Sequence, residues 1–376
     1  MLNNTIAKIK PKSLDNFFKK LNFFKGIALE KAKHYISGLM QGFKRFNLET
    51  LQLASVDSGT TYRQLHYFID KANWDENKLN EVRIDFLQND VRTRTKKDGC
   101  ISIDDTSVKK YGDKTDGVYC QYSGTIGGTD DCKVVVTSHY SDDSKDFPLD
   151  AESYYHGDVS KLDLACLMID KAIERNLSFD WLNFDSWYCT KQVIDKAKKH
   201  KKYFVSYLKS NRVVIWKNQR FQVSDLAKVA TAQFPNDEII DLGACHIKSL
   251  GEYRLVIKDG KCFVTNNLKE SKETIIEKYK LRWKIDDFYR QSKDNLGFDQ
   301  FQVRKGLSIM RHWILVFLAY TFWIHCKMKG VFSKIYQGTL ETLSDFTKVM
   351  QNLNLIRVAK NTTNVLLANF SLKSLN

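Results

Sequence analysis

Residues 180–208 read DWLNFDSWYCTKQVIDKAKKHKKYFVSYL. Two short apolar runs, DWLNFD and YFVSYL, flank TKQVIDKAKKHK, whose composition and spacing predict a helix. Strand, helix and strand in that order mark a section of mixed architecture. Upstream, from Gly99, short apolar runs alternate with turns, and CISIDD, VYCQYSGTIGG and CKVVVTSHY read as an antiparallel start. The segment KLDLACLMIDKAIERN then predicts a helix leading into DWLNFD.

Three antiparallel strands followed by alternating helices and strands predict an α/β fold with an RNase H-like mixed sheet flanked by helices. Residues 213–272 interrupt the alternation with strand-like pieces and read as a β-rich insertion, in which Asp259-Gly260 is a strong two-residue hairpin signal. The core is therefore divided into 96–212 and 273–330. Before it, residues 1–95 carry apolar positions at helical spacing in SLDNFFKKLNFF, ALEKAKHYISGLMQGFKRF and DENKLNEVRIDFLQNDV, an N-terminal helical region. Helices return from about Glu273, with Gly297 a plausible stop, and residues 331–376 form a less informative helical tail. The apolar run WILVFLAYTFWI, Trp313 to Ile324, is shorter than the roughly 20 residues of a membrane span and predicts a buried core helix, hence no membrane partner.

Lys and Arg number 59 against 44 Asp and Glu, a formal charge of +15 spread along the chain. A polyanionic partner is the natural expectation, although charge alone fixes neither fold nor chemistry. The eight cysteines include no C-x-x-C pair, which argues against a zinc module or a dense disulfide framework and for reduced thiols. The opening residues MLNNTIAKIKPKSLDNFFKK lack the apolar run of a secretory signal.

Three segments offer carboxylates. In SIDDTS the alternation of an extended strand puts Ser102 and Asp104 on one face and Ile101, Ile103 and Asp105 on the other. In WLNFDSWY, Leu182 and Phe184 share one face, Asn183 and Asp185 the opposite one, and the strand ends at the acid. Mixed sheets commonly build sites at such C-terminal ends, and an acid there also serves as a turn former or helix cap. The third segment, YKLRWKIDDFYRQSK at 279–293, reads as one amphipathic helix. At 100° per residue, Tyr279, Arg282, Asp286 and Lys293 fall within an arc of about 60°. Leu281, Ile285 and Phe288 fall opposite, and Asp287 lies about a quarter turn off the line. The polar face is equally what i,i+4 ion pairs on a solvated helix produce.

Taken together the three segments resemble the DDE insertion-sequence transposases, in the branch with a Y-x2-R-x3-E-x6-K signature. Tyr279, Arg282, Asp286 and Lys293 match its spacing; IDDT at 103–106 resembles the family's D-x-T, and DSWY at 185–188 the motif around its second acid. The resemblance covers about residues 55 to 325, insertion included. It implies that Asp104, Asp185 and Asp286 are catalytic and hold two Mg²⁺ ions, for which Mn²⁺ substitutes, and that Tyr279, Arg282 and Lys293 grip phosphates of double-stranded DNA. Lys209, Asn211 and Arg212, after the strand YFVSYL, are further DNA-contact candidates or an exposed basic turn. Asp286 departs from the usual Glu and is one methylene shorter.

The implied activity is phosphodiester hydrolysis at the element's ends and transfer of the 3′-hydroxyl into target DNA, by a homodimer in the DNA complex and in a cytoplasmic, nucleoid-associated, prokaryotic-type setting. The alternatives are an RNase H-like nuclease that cuts without joining and an inactive, transposase-derived DNA-binding protein. Residues 1–95 are the expected DNA-binding region, which the latter would use with the basic face alone, and within it TTYRQLHYFIDKANW is either a groove-reading helix or scaffold.

Overall fold

The computed structural model describes residues 13–41, 45–53, 59–111, 114–124, 127–331 and 341–353. The chain opens with helices: α1 over 13–21, α2 (Gly26–Leu39), α3 (Leu48–Gln52), α4 (Tyr62–Asp70) and α5 (Glu76–Gln88). Side-chain caps start three of them, Asn47, Thr61 and Asp75 accepting from the backbone N–H groups of Thr50, Gln64 and Lys78. Such caps satisfy amides that a helix leaves without internal partners.

The mixed sheet follows. Strand β1 (Cys100–Lys109) runs antiparallel to β3 (Gly128–Ser141). The other edge of β3 carries β2 (Val118–Ser123) on residues 128–133 and β4 (Asp146–Ser153) on residues 135–141. After α6 (Lys161–Glu174), β5 (Trp181–Phe184) pairs in parallel with β1. After α7 (Lys191–Lys199), β6 (Tyr203–Tyr207) pairs in parallel with β5. The resulting order β4-β3-β1-β5-β6, with the first three strands antiparallel and the last two parallel to β1, is the RNase H-like arrangement expected from the sequence.

The three expected antiparallel strands form as β1, β2 and β3, with β3 between the other two. One detail differs from the sequence reading: β4, which was not among the expected strands, also pairs with β3 and completes the core. Pro148 lies inside β4, and proline removes a ladder donor. It is tolerated because, among the described residues, β4 pairs on one side only, and Pro148 sits opposite His139 where the register shifts.

The insertion comprises β7 (Val213–Trp216), β8 (Gln219–Gln222), α8 (Val223–Gln233), β9 (Ile239–Ile247), β10 (Gly251–Lys258) and β11 (Lys261–Thr265). It continues the same sheet, because β11 pairs with β6 and the order runs on through β10, β9, β7 and β8. The β10–β11 hairpin turns on Asp259 and Gly260, at φ 49° and 70°, the left-handed pair that a two-residue turn of this type needs.

Helices α9 (Lys272–Lys280), α10 (Trp283–Leu296) and α11 (Gly306–Lys329) follow, with α12 described over 343–353. The chain divides into two compact units, one of Thr95–Asp113 and Gly117–Phe288, the other of Met1–Arg94, Lys114–Asp116 and Tyr289–Asn376. The first holds the sheet. In the second, α11 packs against α2, α4 and α5. It is long and apolar enough to cross a membrane, yet it is buried within the unit from Arg311 to Cys326. Its polar residues bind neighbouring helices: Arg311 donates to the carbonyls of Ile69 and Trp74, Thr321 accepts from Arg83 at 3.1 Å, and His312 meets the Tyr35 hydroxyl at 2.8 Å. In the same unit, α4 buries Leu65, Phe68 and Ile69 and exposes Tyr62, Arg63 and Tyr67.

Candidate active site

The first two acids owe their proximity to parallel pairing. Ile103 of β1 stands opposite Phe184 of β5, so the next residues, Asp104 and Asp185, lie side by side. Only β5 ends at its acid, as β1 continues to Lys109 on the support of β3 and carries Asp104 in mid-strand, against the expectation that both acids stand at strand ends. Asp104 Oδ1 accepts from the backbone N–H of Asp105 at 2.8 Å, and Oδ2 accepts from Arg282 Nη1 at 2.9 Å. Burial, and next the charge of Asp185, push the Asp104 carboxyl up to about 8. Asp185 Oδ1 accepts from the backbone N–H groups of Trp187 and Tyr188 at 2.9 and 3.1 Å, which ties the turn after β5 to the acid. Its carbonyl accepts from Ser206 Oγ at 3.0 Å.

Asp105 shows what alternation does. It faces away from Asp104 and is held by Lys161 Nζ at 2.7 Å and the Tyr188 hydroxyl at 2.8 Å. The Tyr of the DSWY motif is thus a structural partner of the neighbouring acid.

The third segment corrects the sequence reading. Residues 279–293 are not one helix: α9 ends at Lys280 and α10 begins at Trp283, with Leu281 and Arg282 at the corner. A single helical wheel therefore does not apply across them. Tyr279, expected on an exposed polar face, is 2% exposed and packs its ring against Tyr207 and Phe263 at 4.3 and 5.1 Å. The end of α9 is anchored to the sheet, as Asn183 Nδ2 donates to the Lys278 carbonyl at 2.9 Å and Ser141 Oγ to the Leu281 carbonyl at 3.5 Å.

Arg282 leaves this anchored corner toward the acids. Its Nη1 bonds Asp104, and its Nη2 lies 3.1 Å from Asp286 Oδ2. Asp286, in the first turn of α10, has a carboxyl raised by burial, lowered by Arg282, and raised again by Asp287 and Asp185. The packing side of α10 is as expected, with Ile285 and Phe288 fully buried. Lys293 lies farther along α10, in the helical unit, where burial lowers its ammonium pKa and Asp299 and Asp294 oppose that shift.

Of the remaining candidates, Lys209 and Asn211 are exposed, whereas Arg212 is committed to structure through Ser249 Oγ and the Cys189 carbonyl, both at 2.6 Å. Lys209 and Asn211 line a groove of about 1140 Å³ whose wall includes Ser186, the neighbour of Asp185, together with Lys228 and Lys261 and, among the described residues, no acidic one. The insertion lysines 228 and 261 carried no motif in the sequence and become visible only where α8 and the β10–β11 hairpin meet.

Carboxylates are hard oxygen ligands suited to Mg²⁺, and a cation, the Arg282 guanidinium, already stands between two of the three. The donor chemistry therefore fits a divalent metal. The spacing is another matter: among the described residues no three His, Cys, Asp or Glu side chains are gathered closely enough to hold an ion.

An RNase H-like sheet with aspartates leaving adjacent parallel strands defines the class of this protein. A family model described as transposase DDE domain matches residues 95–322, and one described as DDE superfamily endonuclease matches residues 22–162. The chain belongs to the DDE transposase family. It is 30% identical over 169 residues to a probable transposase for insertion sequence element IS701 of Microchaete diplosiphon, covering 43% of this chain and 43% of that relative. The match thus spans less than half the length of that curated relative. A cryo-EM structure of the piggyBac transposase synaptic complex with hairpin DNA aligns over 88% of this chain and 72% of that one, with TM-score 0.49 and 11% identity.

Proposed function

We propose that this chain is an insertion-sequence transposase that hydrolyses phosphodiesters at the ends of its element and joins the freed 3′-hydroxyl to target DNA. The observation that carries the reading is the placement of Asp104, within β1, beside Asp185, directly after β5, where the parallel pairing of the two strands stops at Ile103 and Phe184, with Asp286 linked to Asp104 through Arg282. Asp104, Asp185 and Asp286 are the residues that would hold Mg²⁺ or Mn²⁺. When bound, such ions supply Lewis acidity to the attacking and leaving oxygens of an in-line displacement.

The chain's own residues do the rest. The turn amides of Trp187 and Tyr188 fix one oxygen of Asp185, and the Asp105–Tyr188–Lys161 set fixes the strand end from behind. Arg282 offers a planar fork suited to phosphate. Lys209, Asn211, Lys228 and Lys261 present a cationic groove along which a DNA backbone can run from Asp185. Lys293 adds a further cation on α10; Tyr279 and Arg212 are assigned to the scaffold, since burial and backbone contacts occupy them. Two element ends have to be processed together, so a homodimer on DNA belongs to the reading.

The test is strand transfer on a duplex carrying the element's ends with Mg²⁺ or Mn²⁺. Joined product is expected from the wild type and none from Asp104→Ala or Asp185→Ala. Activity surviving either change overturns the proposal, and cleavage without joining assigns the chain to the nucleases of this fold.

A further inference from the structure

Arg282 is where the site departs from a simple acid cluster. Its guanidinium donates through Nη1 to Asp104 Oδ2 and stands with Nη2 3.1 Å from Asp286 Oδ2, an ion pair without hydrogen-bond geometry, and both are oxygens a metal would also need. The side chain is 11% exposed and lies 5.4 Å from the Trp283 ring and 5.8 Å from that of Tyr279. Its backbone is at the α9–α10 corner, which Asn183 and Ser141 pin to the sheet. The side chain can therefore exchange partners while its root stays fixed. A guanidinium and a divalent cation cannot both occupy the space between the same carboxylate oxygens, because like charges at contact distance repel strongly where water is scarce.

We propose that Arg282 is a built-in counter-cation of the metal site, which a divalent metal displaces and which, once displaced, binds a DNA phosphate. Metal and DNA then bind with positive coupling: metal frees the arginine for phosphate, and a phosphate that captures the arginine vacates the carboxylates for metal. Linkage requires the two effects to be equal. The inference rests on the metal-site reading given under Proposed function.

The experiment is calorimetric titration of the full chain with Mn²⁺ alone, without DNA. Arg282→Gln is expected to bind Mn²⁺ about tenfold more tightly than the wild type, within the usual range of coupling between sites. Arg282→Lys, which keeps the charge but cannot fork between two carboxylates, is expected to fall between them and guards against misfolding of the glutamine variant. Lys284→Gln removes an equal charge two residues away, from a side chain paired with Asp146 at 4.0 Å, and is expected to leave Mn²⁺ affinity unchanged. Fluorescence anisotropy with a short duplex lacking element ends gives the second readout: Mn²⁺ is expected to tighten DNA binding by the wild type and not by Arg282→Gln. Equal Mn²⁺ affinity in Arg282→Gln and the wild type overturns the exchange while leaving the metal site standing. An equal gain in Lys284→Gln reduces the effect to net charge and also overturns it. Absence of Mn²⁺ binding in every variant overturns the metal-site reading and the exchange together.

Discussion

Asp104 carries the largest electrostatic consequence of any residue in the site. Its folded pKa of about 8 lies above the ordinary carboxylate value of 3.8, with burial as the first cause and Asp185 as the second. A carboxyl raised on folding holds its proton more tightly in the folded state, so its contribution to stability is lost as pH rises from about 4 to about 8. In the presence of a chelator, melting temperature should therefore fall across that window, and Asp104→Asn should flatten the fall; thermal melts at several pH values measure both. Asp286→Glu extends the carboxylate by roughly 1 to 1.5 Å, about one bond's reach, and is expected to tighten Mn²⁺ binding by calorimetry because the third acid then approaches the other two. Asp104 was legible as a candidate through strand alternation and Asp185 through the end of its strand, both local properties, whereas the continuation of β1 to Lys109 depends on its pairing with β3. The bridge from Arg282 to Asp104 spans 178 positions, and nothing in either segment encodes it.

At the level of elements, the instructive case is the α9–α10 corner. Residues 279–293 carry enough helical periodicity to read as one helix, and local propensity contains no strong breaker between Lys280 and Trp283. The chain turns there because tertiary contacts decide it: Tyr279 enters the aromatic core under β6 and β11, and Asn183 captures the end of α9. Asn183→Ala removes that capture from a buried position and should cost about 1 to 2 kcal/mol in chemical denaturation. At the far end of α10, Gly297 adopts φ +64°, and a Cβ there would stand 2.3 Å from Phe46. Gly297→Ala combines left-handed strain with overpacking and should cost about 3 kcal/mol in the same measurement.

Across the whole chain two readouts separate the two units. In the helical unit, burial holds the His325 imidazole down at about 4 from its ordinary 6.5. The unfolded chain takes up that proton first, so this contribution to stability is present above pH 6.5 and is lost as pH falls toward 4. His325→Phe should weaken the acid sensitivity of unfolding, read as the slope of stability against pH. In the sheet unit, the groove lysines are exposed cations beside the site. A Lys228→Ala and Lys261→Ala double variant should lower the slope of log DNA affinity against log salt by about one for each lysine, an effect seen in binding titrations over a range of salt.

By itself the sequence determined the RNase H-like order of strands and helices, the β10–β11 turn at Asp259-Gly260, the stop at Gly297, and the candidate acids Asp104 and Asp185, because each is set by alternation, turn chemistry or apolar spacing within a few residues. Only the tertiary structure decided that β4 and not β2 completes the core, that the insertion extends the sheet through β11, that Tyr279 is core, and that Arg282 stands between Asp104 and Asp286. The physical reason is common to all four: strand neighbours, burial and ion pairing are settled between segments far apart in the chain, where local sequence exerts no preference.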